Sequence, residues 1–309
     1  MSEFSGKVLL ATDGSEESEL ASCAAVELCE TTGSELHVVH VGPAVRHVGD
    51  MGPVFLDPQA EQAAQKRLDE QSQEQLDAEV KKVGELGARA AGAHLRAGHP
   101  ADQIVRLAED LGARMIIMGS RGRGGVRRAL MGSVSEDVVR HAHCPVLVVR
   151  RDGGHTLFPA RIVVAVDGSR ESDAAARIAA ELSEPAGSEL YVVHAGPTAH
   201  LPYQYPYLAE NVESFYEQAK EEARKFLEGQ AEKIRAETDA PVHTSLRIGS
   251  PEKEIVELAD EVDAGLVVLG SRGLGGIRRA MMGGVSDSVV RHARCPVLVV
   301  RQDPEQARN

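Results

Sequence analysis

The pattern with the clearest chemistry is Gly119-Ser-Arg-Gly122, nine further residues, then Gly132-Ser133 and a helical run from Val134 to His141. Glycines let backbone amides approach an anion closely, and a helix start offers unpaired N–H groups at the positive end of its dipole. Phosphate is the natural guest of such a loop. Ser133 and Ser135 can cap the helix or donate to a phosphate oxygen, while Arg121, Arg123, Arg127 and Arg128 concentrate positive charge. A solvated surface loop is the competing reading, and a second copy of the pattern counts against it.

That copy is part of an internal repeat. VLLATDGS (residues 8–15) matches IVVAVDGS (162–169), GSELHVVHVGP (33–43) matches GSELYVVHAGP (187–197), and residues 119–150 and 270–301 agree at 25 of 32 positions. The second copy carries Gly270, Arg272, Gly273 and Gly283, but Gly284 stands where the first has Ser133. The register slips by three residues between the blocks, which places the length change between Pro43 and Gly98. Around Gly154, Asp-Gly-Gly with flanking charges reads as a linker, giving domains over residues 1–153 and 154–309.

Each half must position these loops with the same elements. Lys7 to Thr12, Leu36 to Val41, a short His94 to Ala97, Met115 to Met118 and Val146 to Val149 are apolar runs of the kind buried on both faces of a parallel sheet. Between them lie helical stretches, Glu16 to Glu30, Gln59 to Leu86, Ala101 to Leu111 and Ser133 to His141, with Leu68, Leu76, Val80 and Val83 near one face of the second. Strands alternating with helices predict an α/β fold: two tandem doubly wound domains, each a five-stranded parallel sheet with helices on both faces. Ligands of such sheets bind beyond the carboxyl ends of the strands, here Asp13, Val41 and Gly119.

Asp13-Gly14-Ser15 and Asp167-Gly168-Ser169 close the first strand of each half and read as tight turns with a serine N-cap. His40 and His194 end the second strands, where packing or a strand-end hydrogen bond is preferred to catalysis. His141, His143 and Cys144 suggest a metal site, but the repeat has His292, Arg294 and Cys295, and an arginine there would abolish it. Cys23 and Cys29 read as small packing residues, and the four cysteines lack both CxxC spacing and disulfide-scaffold density. The aromatic segment 200–207 could anchor a partner or cover its own domain.

The spacing Gly119, Gly122, Gly132, Ser133 resembles the ATP signature of the universal stress protein family, in its tandem form, and the resemblance covers almost the whole chain. It implies an adenine nucleotide alpha hydrolase-like fold and an ATP ligand, with Mg2+. Asp13 and Asp167 would contact the nucleoside, the backbone of Val41 and Ala195 would meet adenine, and the glycines of each loop would hold the phosphates. Also implied as binding residues are Ala11, Met118, Arg121, Val134 and Ser135 in the first half, with Ala165, Leu269, Gly270, Arg272, Val285 and Ser286 in the second. Gly284 departs from the signature by one hydroxyl, which predicts a second site that is occupied but weaker.

Composition narrows the partners. A formal charge of −13 disfavours nucleic acid and anionic membrane, and no stretch approaches a membrane span. The N-terminus lacks a signal-peptide layout, so the chain reads as cytoplasmic. No Walker A lysine, Ser/His/Asp set or HExxH run occurs, which favours a regulatory ATP-binding module over an enzyme, with slow hydrolysis left open. The competing readings are a phosphoryl- or adenylyl-transferring enzyme and a nucleotide-free structural adaptor. The last strand of each half, Pro145 to Arg150 and Pro296 to Arg301, would be an exposed apolar edge, so the halves are expected to pair there, and chains to form homodimers.

Overall fold

The computed structural model describes residues 6–44, 58–122, 131–150, 160–196, 209–273 and 282–301. The chain divides into two compact units, one running to Arg150 and one from Arg151. The expected linker around Gly154, the aromatic segment 200–207, and Arg123, Arg127 and Arg128 lie outside the described residues.

In the first unit the order is β1 (Lys7–Thr12), α1 (Glu16–Thr32), β2 (Glu35–Gly42), α2 (Pro58–Glu85), β3 (Gly92–Ala97), α3 (Pro100–Leu111), β4 (Met115–Gly119), α4 (Ser133–His141) and β5 (Val146–Val149). The second repeats it: β6 (Arg161–Ala165), α5 (Arg170–Ala186), β7 (Glu189–Gly196), α6 (Ala209–Arg235), β8 (Val242–Ile248), α7 (Pro251–Glu261), β9 (Leu266–Gly270), α8 (Gly284–His292) and β10 (Val297–Val300). The strand orders are β3-β2-β1-β4-β5 and β8-β7-β6-β9-β10, and the neighbours within each unit pair in parallel. Each half is therefore the doubly wound α/β sheet that its alternating pattern predicts, with the winding reversing beside β1 and β6.

Local chemistry explains the element ends. Ser15 caps α1, its Oγ accepting the Ser18 amide at 3.3 Å, and Gly33 ends the helix at φ 69, two residues beyond the helix end expected from the sequence. Leu9, Leu10, Ile116 and Ile117 are fully buried, which is why β1 and β4 show no polar alternation.

Helix α2 differs from its expected face. Its buried seam is Ser72, Leu76, Glu79 and Val83, a 4-3-4 spacing, whereas Leu68 and Val80 are half-buried. Ser72 sits on the seam because Gly42 of β2 has no side chain; a Cβ there would lie 2.2 Å from Ser72 Oγ. Pro58 and Ala209 are 151 positions apart, as are Leu76 and Leu227, whereas Asp13 and Asp167 are 154 apart. The length change between the halves thus falls between Pro43 and Pro58, ahead of α2.

Helix α3 ends at Gly112 (φ 62), but the matching position after α7 is Asp263, at φ 50. The terminating bond is retained, with the Ala264 amide donating to Ala259 O at 2.8 Å. A left-handed aspartate lacks glycine's freedom, so Asp263→Gly is expected to stabilise the second domain by about 1 kcal/mol, read as a higher thermal midpoint.

One partly buried histidine pair makes the first domain sensitive to acid. Gly92 leaves room for His37 Nδ1 to lie 3.0 Å from His94 Nε2, a bond that needs one N–H and one lone pair. Burial lowers the pKa of both imidazoles below 6.5, with Lys7 adding to the effect on His37 against Glu35, and His37 and Arg96 adding to that on His94. Below about pH 6.5 the unfolded chain therefore binds more protons than the folded one. This contribution is complete above that pH and is lost as the pH falls through the depressed folded values. Urea midpoints of the first domain should fall with acidification over that window, with a shallower slope in an H37L/H94L chain.

Candidate functional site

The site in each half forms where β1 and β4, or β6 and β9, end. Asp13 Oδ1 accepts the Ser15 amide at 3.0 Å, and Ser15 Oγ donates to Arg121 O at 3.3 Å while capping α1. The turn after β1 is thereby tied to the loop after β4. Gly122 passes directly over the carboxylate: a Cβ there would lie 2.3 Å from Asp13 Oδ2. The second half repeats this, with Asp167 Oδ1 accepting the Ser169 amide at 2.9 Å, Ser169 Oγ donating to Arg272 O at 3.2 Å, and a Gly273 Cβ falling 2.3 Å from Asp167 Oδ2.

The loop returns at Gly132, whose amide donates to Ser120 O at 2.8 Å, and α4 starts at once. Gly132 is the N-cap and supplies no side-chain cap. Ser135 does not serve as one either: its hydroxyl is buried and donates to Ser120 O at 2.7 Å, so it fastens the loop. Ser133 is exposed at the first position of α4. In the second half Gly283 is the N-cap without a side-chain bond, Ser286 Oγ donates to Gly270 O at 2.7 Å, and Gly284 opens α8. Both helix starts thus keep amide donors without a side-chain acceptor, at the positive end of a dipole.

Behind the first loop lies a buried carboxylate that the sequence reading missed. Glu17 Oε2 accepts the Ser120 hydroxyl at 2.5 Å and the Arg121 amide at 2.6 Å, while Oε1 lies 2.8 Å from Arg121 Nε. Arg121 is therefore an ion-paired brace as well as a wall of the site. The second half has Glu171 at the equivalent place, but among the described residues the buried Ser271 hydroxyl lacks a hydrogen-bond partner and Glu171 makes no ion pair with Arg272.

These features enclose two clefts, of about 530 Å³ in the first half and about 460 Å³ in the second. The first brings together all of its expected residues: Ala11 and Asp13 from β1 and its turn, Val41 from β2, Met118, Gly119, Arg121 and Gly122 from β4 and its loop, and Gly132 to Ser135 from the start of α4. The second brings together Ala165, Asp167, Ala195, Leu269, Gly270, Arg272, Gly273 and Gly283 to Ser286. The wall residues that sequence reasoning did not assign to the site include Thr12, His40, Gln75, Pro100, Ile104 and Met131 in the first cleft, and Val166, His194, Pro251 and Ile255 in the second. The matching prolines that open α3 and α7 could have signalled their part; Gln75 lies in the segment where the halves diverge, and no repeat points to it.

The histidines and the cysteine to which the sequence gives no ligand role have structural partners, although His40 and His194 also line the clefts. His40 is buried and its Nδ1 donates to Thr12 O at 3.0 Å; His194 does the same to Val166 O at 2.8 Å. His141 Nδ1 donates to Asp137 O at 2.8 Å, and His143 Nε2 lies 2.8 Å from Glu109. Burial pushes the Cys29 thiol up to about 12, which suits a packing residue. Among the described residues no helix is long and apolar enough to cross a membrane.

A doubly wound sheet with a glycine-lined cleft at its reversal point defines a nucleotide-type α/β domain, present here twice. The sequence profile of the universal stress protein family matches residues 5–150 and again 160–301, and the chain belongs to that family in tandem form. It is 32% identical over 305 residues to Universal stress protein Rv2005c of Mycobacterium tuberculosis, covering 96% of this chain and 97% of the relative. Universal stress protein MJ0531 of Methanocaldococcus jannaschii is 34% identical over 156 residues, 50% of this chain and 88% of its own. Among solved structures, a universal stress protein from Archaeoglobus fulgidus DSM 4304 superposes with a TM-score of 0.68 at 26% identity, over 96% of this chain and 98% of that one.

Proposed function

We propose that each cleft binds ATP, carried with Mg2+, and that the chain is a cytoplasmic, nucleotide-dependent regulatory module of the stress response that hydrolyses ATP slowly or not at all. The observation that carries this reading is the uncapped start of α4, opening into a cleft where Gly122 lies against Asp13. The amides of Ser133, Val134 and Ser135 would meet the phosphates, and Asp13, with the backbone of Val41, would meet the nucleoside. In the second cleft the same roles fall to Gly284, Val285, Ser286, Asp167 and Ala195. Each cleft wall holds an aspartate, a histidine and serines, but His40 and His194 donate from Nδ1 to backbone carbonyls and the Ser135 and Ser286 hydroxyls donate to loop carbonyls, which suits holding a ligand more than acid–base or nucleophilic work.

The direct test is to denature the purified protein, identify the released nucleotide by mass spectrometry, and titrate stripped protein with Mg-ATP in a calorimeter. Two binding events without rapid multiple turnover support the proposal. Absence of both released and added nucleotide would favour an adaptor, and fast product release an enzyme. The serine at the first helix start makes that cleft the tighter one: Ser133→Gly should weaken it about three- to tenfold, and Gly284→Ser should strengthen the second by a similar factor. Pairing of the halves through their last strands, and homodimerisation of chains, belong to the same proposal and are tested by sedimentation of the intact chain.

A further inference from the structure

The two clefts differ most on the wall that α2 and α6 supply. In the first half Gln75 lines the cleft, and its carboxamide makes no hydrogen bond to protein among the described residues. Beside it Thr12, also in the wall, donates from Oγ1 to Glu79 Oε2 at 2.9 Å. Glu79 is buried, and its other oxygen accepts from Lys82 at 3.1 Å; Lys82 in turn reaches Glu19 at 2.7 Å. A buried carboxylate persists only with such partners, so the polar character of this wall is built in from behind.

In the second half the three positions at the front of this wall have changed, while Lys82 is matched by Lys233. With the interval of 151 that relates α2 to α6, Gln75 becomes Phe226 and Glu79 becomes Gln230, and at the strand end Thr12 becomes Val166. The Phe226 ring packs edge-on against His194 at 4.8 Å, and its atoms lie 3.1 Å from where a Gly168 side chain would begin. The helix position that offers a carboxamide to the first cleft thus carries, in the second half, a phenyl ring packed beside the Asp-Gly turn and on His194, itself a wall residue of the second cleft.

We propose that Gln75 is a specificity-determining residue of the first cleft, which hydrogen-bonds a polar edge of the nucleoside that the second half, with Phe226 at the equivalent helix position, does not read. The inference rests on the nucleotide reading of the clefts. It concerns the nucleoside half because Phe226, at the equivalent helix position, lies beside the Asp167-Gly168 turn, and Gln75 shares the first cleft's wall with Thr12, the neighbour of Asp13. A sugar hydroxyl and the base edge both offer the required chemistry, and different analogues separate them. A site built to hydrogen-bond its ligand rejects an analogue without that group, because the protein group is left unpaired.

The test uses the full chain with Gly273→Leu, which leaves the first cleft as the binding site, or with Asp167→Ala should that chain not fold. Calorimetry compares Mg-ATP with its 2′-deoxy and inosine counterparts. One of the two analogues should bind about three- to tenfold more weakly than ATP, and Gln75→Leu should reduce that ratio to near one. A sugar contact is indicated by loss with the 2′-deoxy analogue, a base contact by loss with inosine triphosphate. In the reciprocal Gly122→Leu background the ratio should be smaller, and Phe226→Gln should raise it. Unchanged ratios in Gln75→Leu and Phe226→Gln, with ATP still bound, would overturn the specificity role alone. No heat with ATP in the unmodified chain would instead overturn the nucleotide reading beneath it.

Discussion

Gly122→Leu should weaken Mg-ATP binding at the first cleft by about two orders of magnitude, roughly 3 kcal/mol, and Gly273→Leu should do the same at the second. At both positions a Cβ would stand 2.3 Å from an aspartate oxygen, so the loop or the carboxylate must move. Either movement damages the site, because Asp13 is fixed by the Ser15 amide and the loop by Ser15 Oγ. The rest of the fold need not follow, since the apolar core of β1 and β4 lies below the turn. Calorimetry on each single variant should retain one binding event, and the double variant none. Two intact events in the double variant would show that ligand is held elsewhere.

The largest effect on stability at the site is expected from Glu17→Ala. The change strands a buried serine hydroxyl, a backbone amide and a guanidinium that all now use one carboxylate. Breaking a buried pair of this kind costs about 3–5 kcal/mol, and the partial exposure of Arg121 reduces the figure to about 2–3 kcal/mol here. Denaturant unfolding, followed by hydrogen exchange at the β1 amides, would report it in the first domain. Glu171→Ala should cost less in the second, where the equivalent contacts are not made. Equal losses would mean that the brace contributes nothing beyond ordinary burial.

Much of this arrangement was legible before any coordinates. The strands read correctly because Val8 to Ala11 and Met115 to Met118 are buried from both sides, which leaves unbroken apolar runs. The glycines could be found because the duplicated loop repeats them at one interval, and at Gly119, Gly122, Gly270 and Gly273 a Cβ would stand less than 3.0 Å from a neighbouring atom. What was not legible depends on pairing at long range. Glu17 and Arg121 are 104 positions apart, and an ordinary first-turn acid of a helix carries no mark of such a partner. The seam of α2 was misread for a related reason: Ser72 and Glu79 are polar, so an apolar period passes over them, yet Gly42 and Thr12 give both a buried place. Ser135 was expected to cap or to touch phosphate, and its hydroxyl turned inward because the loop carbonyl of Ser120 lies within reach.

The bare glycine that opens α8, set against the serine that opens α4, gives the proposed ligand response a graded form. With unequal affinities, rising ATP would carry the chain through vacant, singly loaded and doubly loaded forms, the first cleft filling preferentially. A fused pair of identical copies would fill at random and share one midpoint. If the clefts bind ATP as proposed, a difference of one hydroxyl between the two copies would spread one molecule's response over a broader span of nucleotide concentration.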